Sequence, residues 1–240
     1  MKCVILAAGK GSRLAHQATS KPLIPVGGVA LIERAIQTAQ AAGCDDFSVV
    51  VGYEAEKVIQ FLQQVKKREK CSISTIYNPH WQKENGVSVL AARQAVKGKF
   101  FLLMSDHIFD RRILQNLDQF PLDADELVLA VDTRVTNHPN VDYDDVTKVY
   151  IQSGFITNIG KTILDYNAFD TGIFLSTPSL FRALDISMKT GDYTLSGGIR
   201  VMMKNKKART MDIGDRLWID VDDDQALQKA EEMISWLPAN

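Results

Sequence analysis

The 240-residue chain has a formal charge of −1, with 28 Lys and Arg against 29 Asp and Glu, and 45% of its residues are hydrophobic. That length can bury a sizeable core, and the near-neutral charge speaks against nucleic acid or an anionic membrane as partner. Cys3, Cys44 and Cys71 are odd in number and scattered, so neither a disulfide framework nor a zinc site is expected, and a reducing, cytoplasmic setting suits them. The opening "MKCVILAA" has too short an apolar core for a signal peptide, and Gly9, Lys10, Gly11 and Arg13 follow where a cleavage site would lie. No apolar run approaches the ~20 residues of a membrane span.

In chain order, "CVILAA" is a wholly apolar strand of the kind covered on both faces. "VALIERAIQTAQAAG" sets Leu31, Ile32, Ala35, Ile36 and Ala39 at helical spacing, with Gly43 as the stop. "FSVVVG" predicts a second buried strand. Val58, Phe61, Leu62 and Val65 mark an amphipathic helix ending in the solvated run "KKREK". "CSISTIYN" reads as a strand, "GVSVLAARQAV" as a helix and "KFFLLMSD" as a fourth strand. This alternation predicts a mostly parallel sheet with helices on both faces. Beyond it the pattern turns richer in strand. "DDVTKVYIQ" and "FITNIG" flank Ser153-Gly154, a hairpin signal. "FDTGIFLS" is a strand, "TPSLFRAL" a short helix, and "ARTMDIG" and "WIDV" are late strands. A last helix runs through Ala226, Leu227, Ala230, Met233 and Ile234, with Asp222, Asp223 and Asp224 as cap and acidic first turn.

The loop "LAAGKGSRL" after the first strand matches neither familiar phosphate loop. A dinucleotide fingerprint asks for a small residue where Leu14 stands, and for an acidic ribose partner that only Glu33 offers. A Walker loop asks for a Gly-Lys pair followed directly by Ser or Thr, an order that "GKGSRL" lacks. The residue types still favour phosphate: Gly9 and Gly11 let backbone N–H groups approach an anion, and Lys10 and Arg13 add positive charge. In "SKPLIPVGG", Pro22 predicts an extended Lys21, and Pro25 stiffens the segment that follows.

"LAAGKGSRL" followed closely by "KPLIPVGG" resembles the signature of the nucleotidyltransferases that activate sugar phosphates and alcohol phosphates with a nucleoside triphosphate. The resemblance implies an α/β, three-layer Rossmann-like nucleotidyltransferase fold with a mixed, mostly parallel central sheet. It further implies that Leu6, Ala7, Ala8, Gly9, Gly11, Ser12 and Arg13 embrace the triphosphate while Lys21 bridges phosphates. No linker or repeat interrupts the chain, so one domain over residues 1–240 is expected, with a nucleotide-binding half at about 1–110 and an acceptor-binding half at about 111–240.

A triphosphate brings Mg²⁺, which takes one or two carboxylates and keeps several waters. Asp106 lies just beyond the carboxyl end of a buried strand, where open α/β sheets bind ligands. Asp220 stands between Ile219 and Val221 with no helix-capping reason to be there. By resemblance, Asp106 and Asp220 are the metal-binding pair. The segment "YNPHWQKENGVSVLAAR" corresponds to the base-recognition region, through Glu84, Asn85, Gly86 and Ser88; the same four residues also suit a plain helix cap.

"KENGVSVLAAR", "MSDHIFD", "DVTKV", "IGKTILDYNAFDTGIF" and "WIDVDDDQAL" together look like the cytidylyltransferases acting on inositol-1-phosphate; sugar-phosphate members usually have Gly-Asp where this chain has Ser105-Asp106. The resemblance implies CTP and a phosphorylated alcohol as substrates, Mg²⁺ as cofactor and CDP-inositol as product. Lys161 corresponds to the lysine that grips the acceptor phosphate. Lys148 stands across the predicted hairpin, as an assistant or as a solvent-facing strand residue. Asp170 and Thr171 are candidate partners of polyol hydroxyls. Phosphocholine or a sugar-1-phosphate remains an alternative acceptor, and a non-catalytic nucleotide-binding subunit an alternative role. Many relatives carry a further membrane domain; the chain ends at Asn240 without one, so only the soluble transferase step is expected. A phosphate monoester is mostly dianionic at neutral pH and needs no general base. None of His16, His80, His107 and His138 shows catalytic spacing, and His107 reads as a packing residue beside a metal ligand.

Overall fold

The computed structural model describes residues 1–17 and 20–234. Strand β1 (Lys2–Ala7) runs into the glycine loop, which leads to 3-10 turns over Ser12–Gln17 and Lys21–Leu23. A hairpin of β2 (Pro25–Val26) and β3 (Val29–Ala30) delivers the chain to α1 (Leu31–Ala41); its pairing takes up Val29 and Ala30, and the helix starts at Leu31, the first of its helically spaced apolar residues. Next come β4 (Asp46–Val51), α2 (Ala55–Glu69), β5 (Ser72–Tyr77) and α3 (Asn85–Ala91), which gives way to a 3-10 turn over Arg93–Ala95. β6 (Phe100–Met104) and β7 (His107–Phe109) flank a turn at Ser105-Asp106. They are followed by α4 (Arg112–Asp118), β8 (Leu127–Asp132), the expected hairpin β9 (Lys148–Gln152) and β10 (Phe155–Gly160), and the long β11 (Ala168–Ser176). The chain continues through α5 (Ser179–Lys189), α6 (Leu195–Met203), β12 (Ala208–Asp212), β13 (Trp218–Asp220) and α7 (Asp224–Ile234).

Nine strands form one mixed sheet in the order β5-β4-β1-β6-β11-β8-β12-β10-β9. Pairing is parallel from β5 through β6 and between β8 and β12, and antiparallel along β11 and β10. β9 also pairs with the start of β11, so the last five strands curl back on themselves.

Alternation along β1 builds three layers. Cys3, Ile5 and Ala7 face a core shared with α1, α2 and α4, whereas Val4 and Leu6 face one shared with α3, α5 and α6. Both faces are covered, which is why the strand reads as an unbroken apolar run. Each fully buried aliphatic side chain here contributes roughly 1.5–3 kcal/mol. A third cluster, including Leu14, Ile24, Val26, Ile219, Val221 and Ala230, seats the glycine loop and the first hairpin on α7.

Register sets the location of the site. Leu6 pairs with Met104 at the ends of β1 and β6, and Leu6 O accepts from Ser105 N at 3.0 Å. The glycine loop and the Ser105-Asp106 turn therefore leave the sheet side by side. β13 pairs antiparallel with β7, setting Asp220 opposite His107, and Val221 N donates to Asp106 O at 3.0 Å. A late strand thus returns to the first half of the molecule and brings a second carboxylate to Asp106.

Candidate active site

Lys21 opens a 3-10 turn instead of the extended segment expected from Pro22; the extended residue is Ser20, at φ −61° and ψ 135°. Proline suits the first turn of a helix because its missing N–H would have no partner there. Leu23 N donates to Ser20 O at 2.8 Å and Ile24 N to Lys21 O at 3.1 Å, and the turn turns the lysine inward. The Lys21 side chain is 7% exposed and donates to both Asp106 and Asp222, with Asp220 3.9 Å away. Burial disfavours its ammonium form, but the three carboxylates outweigh that and hold the pKa above the ordinary lysine value.

Asp106, His107 and Asp220 bring one ligand atom each to within 4.8 Å of one another. Asp220 Oδ1 is buried without a hydrogen-bond partner, while Oδ2 lies 3.4 Å from His107 Nε2. His107 Nδ1 lies 2.7 Å from Thr171 O, so Nδ1 carries a proton and Nε2 faces the carboxylates. Burial would lower the His107 pKa, but Asp220 and Asp106 raise it to about 10. Burial raises the pKa of Asp220; Asp106 sits below its usual range because Lys21 and His107 overcome its burial. An orphaned carboxylate oxygen beside a second carboxylate is an oxygen donor set of the kind a divalent cation takes, and the residues fit Mg²⁺.

Asp222 is not part of the helix cap. Asp223 Oδ1 accepts from Ala226 N at 2.8 Å and does the capping, whereas Asp222 turns into the site, pairing with Lys21 and with Arg13 at 2.5 Å. The β13–β7 register, set just before it, decides this direction. Arg13 also reaches Asp145 Oδ2 at 2.7 Å, and the other oxygen of Asp145 accepts from Lys161. Lys148 grips no part of the cleft: its Nζ donates to Lys161 O at 3.0 Å and lies over the Tyr166 ring at 5.7 Å, which fixes the Lys161 backbone.

Arg13, Asp106, His107, Asp145, Lys161, Asp220 and Asp222 border a cleft of about 400 Å³ between the glycine loop, the start of α3, the segment before β9 and the start of α7, whereas Lys21 is buried against Asp106 and Asp222 and does not line it. Leu6, Ala8, Gly9, Arg13, Glu84, Asn85, Ser88, Asp106, Lys161, Asp170 and Asp220 line it. Ala7 faces the opposite layer, and Ser12 is exposed at the start of its turn. At α3 no side chain caps the helix: Asn85 Oδ1 accepts from Leu195 N at 2.8 Å, and Ser88 Oγ accepts from Asn78 Nδ2 at 2.9 Å. Gly86 lies against the backbone of Tyr193 and Thr194. The cleft therefore opens on a rigid α3 start, with Trp81 and Lys83 added beside it.

Asp170 lines the far wall; its Oδ1 accepts from Gly172 N at 2.8 Å, and burial pushes its pKa up to about 6. Thr171 does not face the cleft. It is fully buried and donates to Ala130 O at 2.7 Å, because successive strand residues point to opposite faces. Sequence reasoning missed Asp132, fully buried at the end of β8, which accepts from Trp218 Nε1 at 2.7 Å and from Arg134 Nε at 2.9 Å, with His138 Nε2 at 3.0 Å. It ties the segment before β9 to the strand that carries Asp220. It also did not single out Asn140, in a polar stretch, Asp145, in a stretch read as the start of a strand, or Trp81, within the segment assigned to base recognition.

The MobA-like NTP transferase domain matches residues 3–143, which include the glycine loop, Lys21 and Asp106. The chain belongs to this family. Over 96% of its length it is 31% identical to the bifunctional IPC transferase and DIPP synthase of Aquifex aeolicus, and over 96% it is 32% identical to the protein of the same description from Rubrobacter xylanophilus. The chain spans about half the length of these curated relatives, 51% of each. The solved structure of the inositol-1-phosphate CTP transferase from T. maritima superposes with a TM-score of 0.86 at 25% identity, covering 98% of this chain and 94% of that one. The nucleotidyltransferase fold implied by the opening motifs is thus the fold of the chain. Among the described residues no helix is long and apolar enough to cross a membrane.

Proposed function

We propose that the chain transfers CMP from CTP to inositol-1-phosphate, releasing pyrophosphate and forming CDP-inositol. The observation that carries this reading is the convergence of Arg13 and Lys161 with Asp106, Asp220 and Asp222 around one cleft, with Lys21 buried against Asp106 and Asp222. The choice of base and acceptor is supported by the name of the T. maritima structure and by the IPC transferase half of the relatives' names.

The acceptor phosphate supplies its own oxygen nucleophile, dianionic at neutral pH. That oxygen forms a bond to the α-phosphorus of the nucleotide, the bond from that phosphorus to the β-phosphate oxygen breaks, and pyrophosphate carries away the electron pair. The residues bring two polyanions together and offset the charge between them. The loop N–H groups around Gly9 and Gly11 cradle the triphosphate, with Arg13 and Lys21 as fixed positive charges. Lys161 holds the acceptor phosphate, and Asp170 meets its hydroxyl-bearing ring. Glu84, Asn85 and Ser88 stand where the base edge is read. Asp106 and Asp220 would hold Mg²⁺, which when bound supplies charge neutralisation at the phosphates.

The test is pyrophosphate release with Mg²⁺, four nucleoside triphosphates and three acceptors: inositol-1-phosphate, phosphocholine and glucose-1-phosphate. CTP with inositol-1-phosphate is expected to be the fastest pair. Turnover confined to another pair would overturn the substrate assignment, and release with none would overturn the transferase reading.

A further inference from the structure

We propose that Asp145 is a positioning residue that holds the nucleotide-side arm and the acceptor-side arm at one point, and gives up that point to phosphate when substrates arrive. The inference rests on the transferase reading above. The two oxygens of Asp145 are divided between two cations from distant parts of the chain: Oδ2 accepts from Arg13 at 2.7 Å and Oδ1 from Lys161. Arg13 belongs to the glycine loop and Lys161 follows β10, so one carboxylate joins the residues assigned to opposite substrates.

Neither cation is held by burial. The side chains of Arg13 and Lys161 are 45% and 56% exposed. Long side chains in such settings keep much of their rotamer freedom, and without a shared anion two like charges move apart. Asp145 is on firmer footing. Asp142 O accepts from Val146 N at 2.9 Å in a tight turn, and Thr147 O accepts from Asp170 N at 2.9 Å, which fastens the segment to the cleft wall. Asp132 anchors the same segment from behind through His138 and Arg134.

A carboxylate offers one negative charge and two oxygens, whereas a phosphate offers close to two charges and three oxygens in the same fork geometry. The point between Arg13 and Lys161 is therefore one that a phosphate takes over from Asp145, with both arms already aimed at it. Arg13 keeps a second carboxylate, Asp222, which leads on to Lys21, so releasing Asp145 does not free the arginine altogether. Two consequences oppose each other. Removing the Asp145 charge leaves two unquenched cations that bind polyanions more tightly in the ground state, while losing the shared anchor disturbs the alignment that the transfer step needs.

The test compares the parent chain with Asp145→Asn and Asp145→Glu. Inorganic triphosphate is titrated calorimetrically into each protein, and steady-state rates are measured with CTP and inositol-1-phosphate. Asp145→Asn is expected to bind triphosphate about threefold to tenfold more tightly, and to lose about tenfold or more in kcat with KM for CTP unchanged or lower. Asp145→Glu, which keeps the charge, is expected to retain most of kcat. Triphosphate affinity that stays level or weakens in Asp145→Asn overturns the proposal, and so does an undiminished kcat. Should the parent show no turnover with any substrate pair, the transferase reading falls, while the triphosphate titration still decides the role of Asp145.

Discussion

A Cβ built on Gly11 would stand 2.5 Å from the Cβ of Lys21. The loop glycine and the buried lysine are thus in direct contact, ten positions apart. Gly11 also adopts φ +61°, a left-handed conformation that glycine occupies at no steric cost. Gly11→Ala should displace the Lys21 backbone by a sizeable fraction of an ångström. A misplacement of that order costs about a hundredfold in rate when it falls on a positioned catalytic group. The expected result is a folded protein, by circular dichroism, whose pyrophosphate release is nearly abolished. A near-parental rate would show that the contact does not set the lysine.

Lys21 fills the space among three carboxylates, so Lys21→Met removes the ammonium they share and leaves only His107, beside Asp106 and Asp220, and Arg13, on Asp222, to offset their charge. Turnover should drop by about a thousandfold, the range in which lost electrostatic stabilisation of a transition state falls. The ligand-free variant should also bind Mn²⁺ or Mg²⁺ about tenfold more tightly than the parent, because a divalent cation no longer competes with the ammonium. Calorimetric titration reads this directly. Weaker metal binding in the variant would mean that Lys21 supports the metal seat instead of covering it.

Asp106→Asn and Asp220→Asn each remove one charge from the proposed Mg²⁺ seat, and both should move the Mg²⁺ dependence of the rate to about tenfold higher concentration or beyond. Asp223→Asn is the comparison. Asp223 caps α7 through Ala226 N, a role an asparagine oxygen also performs, so its Mg²⁺ curve should match the parent. Identical curves for all four proteins would remove the metal assignment.

Much of this arrangement was legible because local chemistry and global placement agreed. The apolar β1, the glycines after it and the Lys-Pro pair each have a short-range signature, and Asp220 stood out because an acid between Ile219 and Val221 has no local reason. What escaped was set at long range. Asp222 belongs to an acidic run that reads as a helix cap, and only the β13–β7 register turns it toward Lys21. Asp145 sits in a polar loop whose meaning depends on Arg13, 132 positions earlier. Helix α6 went unassigned; its Gly197-Gly198 pair is a weak helix former. In the structure α6 presses on α5 so closely that a Cβ on Gly198 would come within 2.7 Å of Leu184 Cδ2. Strand β8 also went unassigned, although its six-residue apolar run is of the kind a buried strand shows; a run that short does not by itself tell strand from buried helix.

Asp170 gives a prediction that needs no substrate. Burial pushes its pKa up to about 6 in the folded chain, against ~3.9 for an unperturbed aspartate. Between about pH 4 and 6 the folded protein holds a proton that the unfolded chain has released, so the stability that Asp170 allows is greatest below pH 4, declines as the pH rises through 4 to 6, and is level above about 6.5. Asp170→Asn abolishes the titration, and its Oδ1 can still accept from Gly172 N. Relative to the parent, the variant should gain about 1–3 kcal/mol at pH 7 and nothing near pH 4. Denaturant unfolding at pH 4, 5, 6 and 7 measures the difference. A gain of equal size at every pH would mean that Asp170 is ionised throughout. A loss at neutral pH would mean that its carboxylate is held by a cation in the cleft, and would turn attention to His107 as that partner.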